Sequence, residues 1–159
     1  MQSEIPARFE YIDPGQLQDD DLILALDRFE PSDPVREFLP TYHFNMVHRD
    51  SGVTMGTINL RVGSPERIVL YRGHIGYSVL SEYRGKNYSA RSVKLLLTLA
   101  SRCGIDPVWI TCDPENIASR RSCEIAGGQF IEVIHLPTDE EMYARGIRRK
   151  CRYRFDTHS

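Results

Sequence analysis

The chain has 159 residues, 41% of them hydrophobic and 26% charged, a size and balance that suit one folded domain over residues 1–159 and exclude wholesale disorder. Twenty lysines and arginines face 22 aspartates and glutamates, a formal charge of −2, so no overall basic field exists to hold a nucleic-acid backbone. No apolar run approaches the ~20 residues of a membrane span, and the first residues lack the basic-then-apolar layout of a signal peptide, so a cytoplasmic protein is expected, with neither a nucleic-acid nor a membrane partner.

Residues 8–12 alternate and predict a first strand, stopped by Asp13-Pro14-Gly15. Leu17, Leu22, Ile23, Leu26 and Phe29 recur at helical intervals and predict a helix, with Asp19 to Asp21 near its start. Pro31, Pro34 and Pro40 break the following stretch into a loop. Residues 42–47 and 53–62 then read as a strand pair around the turn at residues 49–52, with Gly56 a candidate bulge. After a second turn at residues 63–66, residues 73–80 form a further strand. Val93, Leu96, Leu97 and Ala100 mark the apolar stripe of a helix over residues 86–102, capped at Gly104. Residues 107–112 make a short apolar strand. Asp113 and Pro114 predict the cap and first position of a second helix, which ends at Gly127-Gly128. Residues 130–135 and 147–155 form two last strands, expected to pair antiparallel around a polar loop, with the arginine-rich run at 145–154 a solvated strand face. The fold class is α/β: a mixed, mostly antiparallel sheet around a central strand–helix–strand unit with a locally parallel pair and right-handed crossover. Cys103, Cys112, Cys123 and Cys151 lack CxxC spacing and flanking histidines, which predicts free buried thiols and no metal site.

The stretch from Gly76 to Ser89 carries the chemistry. A strand ends, a short turn follows, and a helix opens. Such an opening presents unpaired amides and a positive dipole end, which suit phosphate. Gly85 and Ser89 are small enough for close approach, and Arg84 and Lys86 add positive charge. An ordinary strand-to-helix turn with a solvated basic pair has the same appearance.

This stretch resembles the acyl-CoA-binding motif of the GCN5-related N-acetyltransferase (GNAT) superfamily: Arg or Gln, two residues, Gly, any residue, then Gly or Ala, after a strand and opening a helix. Here it reads Arg84-Gly85-Lys86-Asn87-Tyr88-Ser89, with Asn87 in place of Gly and Ser89 in place of Gly or Ala. Asn tolerates left-handed backbone angles, so the turn remains feasible. Asn116, Ser119 and Gly127 are similar to the superfamily's later motif, in which an Asn after the fifth core strand opens a helix that ends at Gly. Gly128 stands where an aromatic is usual.

The resemblance implies a GNAT-like fold and acetyl-CoA as co-substrate. Backbone groups of Tyr77 and Val79 would pair with the pantetheine arm, amides of Arg84, Gly85, Lys86, Asn87, Tyr88 and Ser89 would hold the pyrophosphate, and Asn116 and Ser119 would line the second motif. The Val79 N–H would face the developing oxyanion. Many relatives place an acid Tyr seven residues after the Asn; this chain has Cys123 there, with Tyr83 and Tyr88 as nearby hydroxyls. His74 is the candidate base or water relay, with Glu82 also bracketing the strand. The implied function is direct transfer of an acetyl group to an amine on a small molecule or a protein; the alternative is a non-catalytic acyl-CoA-binding regulatory module. The acceptor pocket is expected from residues 31–40, the first helix and residues 138–146, with Asp33, Glu37, Asp139, Glu140 and Glu141 available to a cationic amine. The apolar C-terminal strand is compatible with a homodimer.

Overall fold

A computed structural model describes residues 9–157 apart from 34 and 37. Among the described residues, eight strands form two sheets: β1 (Leu17–Asp19), β2 (Leu22–Glu30), β3 (Thr41–His48), β4 (Thr54–Arg61) and β5 (Ile75–Val79) in sequence order, and β6 (Val108–Cys112), β8 (Arg149–Phe155) and β7 (Gln129–His135) with β8 in the middle. Every ladder is antiparallel. Helix α1 (Tyr88–Arg102) crosses from β5 to β6, α2 (Ile117–Ile125) joins β6 to β7, and a single turn, α3 (Glu141–Ala144), lies before β8.

The core packs α1 against one face of the five-stranded sheet. Tyr42, Phe44 and Met46 of β3 and Met55, Ile58 and Leu60 of β4 alternate inward and meet Val93, Leu96 and Leu99 of α1. At the end of α1, Gly104 adopts φ +80°, its N–H reaches Ser101, and the Ile105 N–H reaches Ala100. This pattern satisfies the last carbonyls of the helix.

Four elements differ from expectation. The helix predicted over 17–29 is the β1–β2 hairpin. Asp27 is an extra residue in β2, between Leu26 opposite Phe44 and Arg28 opposite His43. That bulge lets Leu22, Leu24 and Phe29 all meet the core, so a strand carries a seven-residue spacing that imitates two helical turns. The strand expected at 8–12 does not form over its described part, residues 9–12. Arg8 lies outside the described residues. There the Tyr42 hydroxyl accepts from the Ile12 N–H at 2.9 Å and donates to its carbonyl at 2.7 Å, replacing a ladder. The parallel pair expected between β5 and β6 is reduced to one backbone bond, from His74 N–H to the Trp109 carbonyl at 2.7 Å. The basic run is not wholly solvated: Arg152 is buried, pairs with Glu132 at 2.6 Å, and lies 4.0 Å from the centre of the Trp109 ring.

Gly56 sits at a register shift in β4, where Met55 is the extra residue. A Cβ there would lie 2.3 Å from the Ser78 carbonyl oxygen. Gly56→Ala therefore forces β4 from β5. The expected cost is about 1–3 kcal/mol, as for overpacked cores, read as a fall of several degrees in Tm. An unchanged Tm contradicts this packing.

Candidate functional site

The ladder between β4 and β5 decides which groups of β5 are free. Leu80 N–H donates to Met55, and His74 C=O accepts from Arg61 N–H. In an antiparallel pair such contacts recur at every second residue, so Gly76 and Ser78 turn their backbone groups toward β4. Tyr77 and Val79 turn theirs outward, where β6 has diverged and no strand follows. The open edge borders a cleft of about 390 Å³. Tyr77 and Val79 line it on one side, Asn116 and Ser119 on another, and residues 83–85 and 87–89 at its end.

That end is the opening of α1. Gly85 has φ +87° and Asn87 has φ +62°, both left-handed, so Asn87 takes the conformation that favours Gly, and α1 starts one residue later, at Tyr88. No side chain caps it, which leaves the first-turn amides available to an acceptor. Lys86 is exposed and lies outside the cleft lining. Asp21, in the β1–β2 turn, ties the helix opening down. Its carboxylate accepts from Tyr88 Oη at 2.8 Å and Arg91 Nη2 at 2.7 Å, and these bonds hold its pKa below the ordinary range. Arg91 Nε also donates to Asp19 at 2.7 Å. Helix α2 opens at Asn116, not Asp113. Asp113 Oδ1 accepts from the Glu115 N–H, forming a turn that delays the helix, and Asn116 Oδ1 then caps Ser119 N–H at 3.1 Å.

The acetyltransferase (GNAT) domain model matches residues 6–129, which takes in β1 to β6, α1, α2 and both motifs. The chain belongs to the GNAT acetyltransferase family. Three solved structures share the fold. A Vibrio cholerae protein assigned as a ribosomal-protein-serine acetyltransferase has a TM-score of 0.63 at 15% identity, over 91% of this chain and 99% of that one. The ribosomal-protein-S5-alanine acetyltransferase of Vibrio fischeri has a TM-score of 0.59 at 18% identity, over 75% and 63%. A microcin C7 self-immunity acetyltransferase, solved with acetyl-CoA and AMP, has 0.56 at 15% identity, over 73% and 61%. A search of curated proteins finds no significant match.

In this GNAT domain the position seven residues after Asn116 holds Cys123, fully buried behind the cleft wall. The neighbouring Cys112 thiol and burial push its pKa up. A hydroxyl beside Cys123 and Ser119 comes instead from β5. Tyr77 Oη lies 2.9 Å from Ser119 Oγ and 3.6 Å from Cys123 Sγ. Burial, with Cys123 beside it, raises the Tyr77 pKa, so the hydroxyl keeps its proton. Tyr88 Oη is committed to Asp21. Gly128, where relatives carry an aromatic, cannot hold one: a Cβ would lie 2.5 Å from the Phe155 ring, which fills that space.

His74 is not placed to act as a base. It is 0% exposed. Its Nδ1 accepts from the Trp109 N–H at 2.9 Å, and Nε2 lies 3.0 Å from Ser64 Oγ. Burial, reinforced by Arg61, lowers its pKa to about 4. His74 is a neutral joint between the sheets. Three of the five carboxylates expected to receive a cationic amine are also committed. Asp33 accepts from the amides of Val35 and Arg36, Glu140 pairs with Arg72 at 2.9 Å, and Glu141 pairs with Arg145 at 2.8 Å. Glu37 lies outside the described residues, and Asp139 is exposed.

The neutral joint has a pH signature. The unfolded chain protonates His74 near 6.5 and the folded chain only near 4. Its contribution is therefore whole above pH 6.5 and falls as pH drops toward 4, by about 3 kcal/mol in all. Urea unfolding at pH 7 and pH 4 should show a smaller acid loss in His74→Asn, whose side-chain oxygen can still accept from Trp109 N–H. Equal losses in both proteins contradict a neutral buried His74.

Proposed function

We propose that this GNAT domain transfers an acetyl group from acetyl-CoA to an amine. The observation that carries the reading is the outward edge of β5 at Tyr77 and Val79, which runs through one cleft into the uncapped start of α1. An extended arm can add to such an edge as a strand, while a pyrophosphate takes helix-terminal amides. Acetyl-CoA supplies the activated acyl thioester, and the solved microcin C7 self-immunity acetyltransferase holds it in a related fold.

The chain's own residues divide the work as follows. The amides of Gly85 and of residues 87–89 bind the phosphates, assisted by the Arg84 side chain, whose Nε donates to the Val79 carbonyl at 3.1 Å. The Val79 N–H faces the open edge, where a fixed donor is worth most to an oxyanion. Tyr77 holds a proton at its hydroxyl, between Ser119 Oγ at 2.9 Å and the Ser119 carbonyl at 3.2 Å, and would give it to the departing thiolate. This moves the acid from Cys123 to Tyr77 and weighs against a non-catalytic module, whose main ground was the missing tyrosine.

Acetyl-CoA or CoA at a hundred times its Kd should stabilise the fold by about 2.7 kcal/mol, and NAD should not. No shift with either thioester or thiol contradicts the cofactor site. Tyr77→Phe should lower kcat about 100-fold or more, as for the loss of a general acid, with CoA affinity little changed. An unaltered kcat removes Tyr77 from the proton transfer.

A further inference from the structure

A second cavity, of about 650 Å³, lies between β3–β4, the loop after β2 and a π-helical turn at Ile68–Arg72. Asn59 and Arg61 line it. They are two apart in β4 and so share a face, opposite the inward Ile58 and Leu60. Asn59 pairs with Gly76 across the ladder. Because Gly76 has no side chain, the Asn59 amide lies along β5 at 3.5–3.9 Å from where a Cβ would be. Asn59 therefore stands between this cavity and the Gly76 position of β5, whereas Tyr77 and Val79 meet the first cleft.

Two polar groups in this cavity want partners of opposite kinds. Asn59 Oδ1 is buried and accepts no hydrogen bond among the described residues. It needs an N–H donor. Arg61 is the converse. Its Nη1 donates to the carbonyls of Gly73 at 2.9 Å and Arg72 at 3.4 Å, and no carboxylate lies within ion-pair distance among the described residues. Burial and the Arg72 charge lower its pKa, as expected of a cation without an acid. The carboxylates on the wall, Glu30 and Asp33, are engaged by His43 at 2.5 Å and Arg36 at 3.8 Å. An uncompensated guanidinium in a part-desolvated cavity selects an oxyanion, and its planar fork suits carboxylate or phosphonate.

We infer that the acceptor is an amine that also carries an oxyanion a few bonds away, its amino group meeting Asn59 Oδ1 beside Gly76 and its anion meeting Arg61. This rests on the acetyl-transfer reading and gives it a substrate class. It departs from the expectation of a cationic amine held by loop carboxylates, three of which, Asp33, Glu140 and Glu141, are already bonded.

The test compares γ-aminobutyrate and aminopropylphosphonate with butylamine and putrescine, four amines of similar length, by thiol release from acetyl-CoA. The anionic amines should exceed butylamine in kcat/KM by about 10-fold or more, the usual worth of a charge-assisted bond, and putrescine should be poorest. Arg61→Gln should collapse that ratio, and Arg61→Lys should keep much of it. Equal or better turnover of butylamine or putrescine, or a ratio untouched by Arg61→Gln, overturns the inference. A binding readout separates it from the transfer reading. The Arg61 Nε–H resonance of the intact protein should move with γ-aminobutyrate and not with butylamine. No thiol release from any amine, with that shift present, sinks acetyl transfer and leaves the anion site standing. No shift overturns the anion site itself.

Discussion

The two sheets meet at His74. Its backbone N–H goes to β6 and its carbonyl to β4, while its ring accepts a second bond from Trp109. One residue thus holds both sheets together and marks the point beyond which they separate. A buried imidazole fills this place only as the neutral form, with one nitrogen accepting and the other donating. Without the joint, β5 would either lie free or continue pairing with β6, and in the latter case the edge at Tyr77 and Val79 would be closed.

The opening organises the rest of the site. Beyond His74, β5 keeps β4 on one side and has no paired strand on the other among the described residues. Its alternation then gives each face a separate task. Tyr77 and Val79 line the cleft with α2 and the start of α1, while Gly76 faces the Asn59 amide, which lines the second cavity. Asp21 and Arg91, 70 residues apart in sequence, keep the opening of α1 level with that strand. Their ion pair is partly exposed, so its role is orientation more than stability.

Elements whose signals are local were legible in the chain. The stripe of α1, Gly104 at its end, the hairpin turn at residues 49–52 and the small residues of both motifs each depend on neighbours a few positions away. What escaped depends on distant partners. The Asp27 bulge gave a strand the spacing of a helix, and only the full ladder with β3 reveals it. The cap of α2 fell at Asn116 because Asp113 spends its side chain on a turn. His74 read as a catalytic base because residue type and proximity in sequence say nothing of enclosure. Tyr77 was marked for its backbone; its hydroxyl gained interest only once α2 was set beside it. That Arg61 has no acid partner among the described residues is visible only in the folded arrangement, not in the sequence.

Amide hydrogen exchange followed by NMR, with and without CoA, tests the open edge most directly. The alternation of β5 assigns a different outcome to each neighbour. Tyr77 and Val79 amides should slow markedly when CoA binds, together with the first-turn amides of α1, while Gly76 and Ser78, already bonded to β4, should change little. Slowing of all four alike, or of Gly76 and Ser78 alone, would contradict the claim that His74 leaves one edge of β5 free for an added strand.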